Sequence, residues 1–122
     1  MNLEFRSFAD SGNPSKERIV LKALKDLDVG EFAVLRSGVG NDGESPTAGR
    51  KIAYWFPDKK VKANDLIVLY TKKGSQSSKV LQNGHTAHFF YWGRDEALWG
   101  DKQFGAVVSE IWDWDFRVAG GN

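Results

Sequence analysis

The sequence predicts an all-β fold, a two-sheet antiparallel β-sandwich, and three observations predict it. The chain carries eight Phe, five Trp and three Tyr together with 13 Gly and only three Pro, a composition of strands joined by turns. Its apolar residues fall in short runs of strand length, several with period two. Polar, glycine-bearing segments separate the runs.

Each element follows in order. Leu3 and Phe5 alternate with Glu4 and Arg6, so residues 1–13 are expected to form an extra N-terminal strand and linker, broken at Ser11, Gly12, Asn13 and Pro14. Residues 16–27 fit two periods: Ile19, Val20, Ala23, Leu24 and Leu27 make a helical stripe, while Ile19 and Leu21 alternate with Arg18 and Lys22. A strand followed by a turn is the expected outcome. Phe32 to Leu35, then Ile52, Tyr54 and Phe56, then Leu66 to Tyr70, then His88 to Trp92, then Val107 and Val108 read as further strands. Ile111 to Phe116, alternating aromatics with acids, reads as the last. The segments 38–49, 57–64, 74–84 and 93–101 read as loops, and 118–122 as a flexible tail. No composition shift divides the chain, so residues 1–122 are read as a single domain.

Several of these stretches resemble the lamin-tail domain family. Residues 17–35 hold Gly30, Glu31 and Phe32, similar to the glycine-polar-aromatic step that opens a strand in that family. Tyr54, Trp55, Phe56 and Pro57, followed by Val61 to Asp65 and the run Leu66 to Tyr70, resemble its aromatic turn and apolar strand, with Asn64 where the family usually has Gly. Trp99, Gly100 and Asp101 before Val107 resemble its tryptophan-containing turn. The resemblance implies an immunoglobulin-like sandwich, a strand at residues 17–24, and no catalytic residue. Family members act as attachment or interaction modules, in nuclear lamins for chromatin and partner proteins, and in bacterial proteins often beside nucleases or surface modules.

Lys and Arg total 17 against 16 Asp and Glu, without the basic excess of a strong nucleic-acid binder. With no Cys, disulfides, thiolate metal sites and cysteine nucleophiles are excluded. Glu4, Arg6 and Asp10 interrupt the N-terminus, so no signal peptide is read there; no apolar stretch spans a bilayer, and the default expectation is cytoplasmic.

No constellation spells out catalysis. His85 and His88 stand three apart, on opposite faces of a strand, and need Asp95 or Glu96 to complete a metal site. Ser75, Ser77 and Ser78, near Lys72, Lys73 and Lys79, lack a nucleophile elbow. Gly38, Gly40 and Gly43 match a dinucleotide-loop spacing, but Glu44, Ser45 and Pro46 open no helix after them. Asp113 and Asp115 are expected on the solvated face of a strand whose other face, with Trp112, Trp114 and Phe116, lines the core; calcium or acid-base chemistry there lacks further ligands. In Phe89, Phe90, Tyr91 and Trp92 two rings should point inward and two outward.

The functional expectation is a non-catalytic interaction module with no cofactor and no metal. It binds a protein partner, or another copy of itself, through an edge strand or an aromatic surface of Trp55, Tyr91, Trp92 and Trp99. The alternative is a carbohydrate-binding module using the same outward rings, with the polar loop 82–86 lining the sugar. A metal-dependent hydrolase built on His85, His88, Asp95 and Glu96 comes last.

Overall fold

The computed structural model describes residues 1–120. Among the described residues the protein is all-β, with ten strands and one short 3-10 turn at Val29–Glu31. The strands are β1 (Leu3–Ala9), β2 (Arg18–Ala23), β3 (Leu27–Asp28), β4 (Phe32–Gly38), β5 (Ile52–Trp55), β6 (Lys60–Val61), β7 (Leu66–Tyr70), β8 (Ser77–Val80), β9 (Thr86–Tyr91) and β10 (Phe104–Glu110). They form a five-stranded sheet in the order β1-β2-β7-β9-β8, a three-stranded sheet β10-β4-β5, and a small β3-β6 pair.

Alternation explains the packing. In β2, Ile19, Leu21 and Ala23 are fully buried while Arg18, Val20 and Lys22 face outward. The ambiguous segment 16–27 is therefore a strand up to Ala23. Ile67 and Leu69 of β7 and Phe90 of β9 extend the same inner face. Phe32 and Val34 of β4, with Phe56 just beyond β5, close the core from the small sheet. Within it Phe56 meets Phe90 and Tyr54 edge to face, at 5.1 and 5.2 Å.

Three expectations need correction. One pair is parallel, not antiparallel: β7 runs alongside β9 in register Ile67 to His88. Parallel neighbours need a crossover of a dozen or more residues, and the segment 71–85 supplies it. Neither 57–64 nor 74–84 is all loop: β6 lies within the first, paired to β3, and β8 within the second, paired to β9 at the sheet's edge and exposed throughout. Its two solvated faces leave no apolar period to read. Finally, residues 111–116 form no strand. The β10–β4 register ends at Glu110 opposite Phe32, the first residue of β4, so the chain beyond has no strand to pair with. Of the expected flexible tail at 118–122, Val118 to Gly120 are exposed and the last two residues lie outside the described residues.

Candidate functional site

The four rings expected on one surface do not share it. Trp99 is only 4 % exposed. The loop before β10 folds back and places it between Phe8 and Trp92, each 5.7 Å away, with its indole N–H donating to the Gly105 carbonyl at 3.1 Å. Trp92 packs against the core between Trp99 and Tyr54. Tyr91 faces outward but lies flat against Tyr70 at 5.3 Å, and a Cβ at Gly74 would overlap its ring. The expected split of 89–92 holds: Phe90 and Trp92 turn in, Phe89 and Tyr91 turn out.

Trp55 alone of the four is strongly exposed, at 51 %. It stands on the outer face of the three-stranded sheet, opposite Ala33. Its indole N–H donates to the Gly30 carbonyl at 2.7 Å, which fixes the ring although water reaches it. The turn beneath is held by Asp28, whose carboxylate accepts from Gly30 N–H at 2.8 Å and Lys59 N–H at 2.9 Å.

Against Trp55 lies the chain that leaves β10. Ile111 N–H donates to the Glu31 carbonyl at 2.8 Å and directs this segment past the groove. Trp114 meets Trp55 edge to face, centroids 5.8 Å apart and planes at 78°. Trp112, Trp114 and Phe116, expected in the core, are 87, 63 and 67 % exposed. The groove between the two tryptophans encloses about 650 Å³, and its lining carries three acids, Asp28, Glu31 and Asp58, and no base. Sequence reasoning found Trp55 and noticed the acid–aromatic alternation of 111–116, but assigned those rings to the core.

The remaining polar groups are structural. Glu17, fully buried and unpaired with any cation among the described residues, accepts from the Thr71 hydroxyl at 2.6 Å and the backbone N–H groups of Leu98, Gly12 and Trp99 at 2.7, 2.8 and 3.1 Å. Burial pushes its carboxyl up, but these hydrogen bonds outweigh it and hold the pKa below its ordinary value. Nothing in the sequence marked this residue. His88 is buried beside Asp65, Nε2 to carboxylate 2.9 Å, while its Nδ1 has no partner. His85 sits in the turn before β9, and Asp95 pairs with Lys73, so the proposed metal ligands are not brought together; among the described residues no three His, Asp or Glu converge as ligands. The glycine loop is a hairpin tip closed by a Val39–Pro46 bridge. There Asp42, its pKa lowered to about 2, accepts from the Ser45 hydroxyl and the N–H groups of Glu44 and Ser45.

Asp65 gives a test in acid. Its carboxylate also accepts from the Lys62 and Thr86 N–H groups, both at 3.0 Å. Burial raises its pKa, but the His88 bond and the two backbone donors bring it below the ordinary 3.8. A depressed carboxyl stabilises the fold fully above its unfolded pKa and loses that contribution as pH falls through the folded value. Asp65→Asn should therefore cost about 1–3 kcal/mol near neutrality. In urea midpoints measured from pH 7 to pH 2, the gap between variant and parent should shrink on the acid side.

No protein-family model matches the chain, and no curated protein matches it in sequence.

Proposed function

We propose that this domain is a non-catalytic interaction module of the lamin-tail kind, which takes a protein partner on the strip formed by Trp55, Trp112, Trp114 and Phe116. One observation carries the reading: Trp55 and Trp114 meet edge to face while 51 and 63 % exposed, and Trp112 and Phe116, two residues either side of Trp114, are 87 and 67 % exposed. Folded domains seldom leave such contiguous apolar surface to water unless something covers it, and buried Trp anchors dominate binding energy at interfaces. Trp55 is already immobilised by Gly30, so little ordering is lost on binding. The acids Asp28, Glu31 and Asp58 favour a partner that brings cationic side chains, which also sit well on indole faces.

The lamin-tail assignment draws support from Asn64, which takes φ 72° where that family usually has Gly, and from the aromatic turn that ends β5. The absence of a catalytic role is supported by Glu17 and Asp65: both buried carboxylates are occupied by structural hydrogen bonds. A protein is favoured over a sugar because Trp55 and Trp114 stand at 78°, walling a cleft instead of forming a flat stacking platform.

The test compares the parent with Trp112→Ala/Trp114→Ala, immobilised and exposed to extract of the source cells. The variant should unfold at nearly the parental temperature yet lose bound proteins that the parent retains. Identical retention by both would end the reading. Quenching of Trp fluorescence by a polysaccharide, without protein capture, would replace it with the carbohydrate reading.

A further inference from the structure

The end of β4 away from Trp55 carries a basic cleft. Alternation along β4 puts Arg36 on the same face as Phe32 and Val34, which are 1 and 0 % exposed. The row of core side chains therefore ends in a cation. Arg36 stands opposite Ile52 of β5 and Ala106 of β10, both partly buried against the core. Its guanidinium lies over the Phe104 ring, 3.5 Å from the centroid, and its Nε–H donates to the Leu98 carbonyl at 3.0 Å. Ring and carbonyl together fix the head group.

That position leaves Arg36 without a counter-charge. Among the described residues no carboxylate lies within ion-pair distance of it, and its Nη groups hydrogen-bond to no protein atom. A charge drawn away from water costs free energy that an opposite charge offsets. Two more cations face the same space. The chain enters β5 through Arg50 and Lys51, and both line a cleft of about 280 Å³ with Arg36, Gly38, Ile52 and Phe104. Among the described residues neither makes an ion pair; Lys51 Nζ donates to the Thr47 carbonyl. The lining thus holds three cations and no acid, in a chain whose formal charge is only +1.

We propose that this cleft binds a single phosphoryl group, carried by a small molecule or by a modified side chain. With Nε committed to Leu98, the two Nη groups of Arg36 form an end-on fork that matches two phosphate oxygens at once. Arg50 and Lys51 supply the further charge that a dianion calls for and a carboxylate does not. Size narrows the choice. Clefts for whole small molecules begin at about 300 Å³, so this one suits a compact anion better than a nucleotide. Nucleic acid is disfavoured again because it engages proteins through several successive phosphates, and three cations at one strand end hold one. The site is separate from the tryptophan strip: Arg36 points inward near the end of β4, while Trp55 points outward opposite Ala33 near its start.

NMR titration of the full chain tests this, with inorganic phosphate, a short phosphoserine peptide, and sodium chloride at matched ionic strength as probes. Phosphate and the peptide should move the amide signals of residues 36–38, 50–52 and 104 along saturating curves, and chloride should not. Arg36→Gln and Arg50→Ala should each weaken phosphate binding roughly tenfold. Arg50 is exposed, so an unchanged unfolding temperature is expected for its variant, which tests the site apart from any structural role of the stacked Arg36. Trp112→Ala/Trp114→Ala should leave phosphate binding as it is, which keeps this site distinct from protein capture. Tighter binding of the peptide than of free phosphate assigns the group to a modified protein chain, and equal binding assigns it to a small molecule. Equal effects of chloride and phosphate, or phosphate binding untouched by both arginine substitutions, would overturn the site. So would tight, steeply salt-dependent binding of an oligothymidylate with shifts spread beyond the cleft, the mark of a nucleic-acid surface.

Discussion

Glu17→Ala is expected to be the most damaging single substitution in the protein, lowering stability by about 3–5 kcal/mol and the unfolding temperature by roughly 10–20 °C. The reason is what it leaves behind. Gly12, Leu98 and Trp99 would each keep a backbone N–H aimed at an empty position, and the Thr71 hydroxyl would lose its acceptor. These donors come from three separate segments, the turn before β2, the end of β7 and the loop before β10, so the carboxylate ties that loop to the paired ends of β2 and β7. Glu17→Gln keeps the shape but weakens every bond, since charged acceptors bind about twice as strongly; its loss should be smaller. Because the folded pKa lies below the ordinary 4.5, the contribution is complete above that value and disappears as pH falls through the folded pKa. Thermal melts of parent and both variants between pH 7 and pH 2 should converge towards the acid end. A Glu17→Ala protein as stable as the parent would contradict this role.

Trp99→Ala should cost about 3–5 kcal/mol, the range for deleting a buried indole, whereas Trp112→Ala should change stability by no more than about 0.5 kcal/mol. Both tryptophans belong to the carboxy-terminal third, and sequence alone put Trp99 on a binding surface and Trp112 in the core, the reverse of what the structure holds. Their burial separates them: 4 % exposure against 87 %. Removing Trp99 empties the space between Phe8 and Trp92 and leaves the Gly105 carbonyl without its donor. Urea unfolding of the two variants checks the contrast directly, and equal costs would refute it.

Much of the fold was legible in the chain, and the failures have physical causes. Alternation located β2 and β5, as period two is what a half-buried strand imposes, and apolar runs of strand length located β4, β7 and β9, which are buried on consecutive residues. The same signal misled at 111–116. Alternation there reports an extended chain, but a strand also needs a neighbour, and β4 begins where β10 ends. The rings therefore went to solvent. Trp99 misled in the opposite direction: a Trp beside Gly and Asp reads as a turn, and only the return of that loop onto Phe8 and Trp92 buries it. Trp55 was found because its neighbours Tyr54 and Phe56 claim the inner side.

The pairing of β4 with β10 bears on how the protein is made. On a ribosome, β4 and β5 emerge long before residues 104–110, so for the whole interval one side of β4 has no strand beside it. An open edge flanked by Ala33, Val34 and Leu35 is a template for any extended chain nearby, including the same segment of a neighbouring nascent molecule. Synthesis that pauses in the second half of the message prolongs that exposure, and arrival of the final strand ends it.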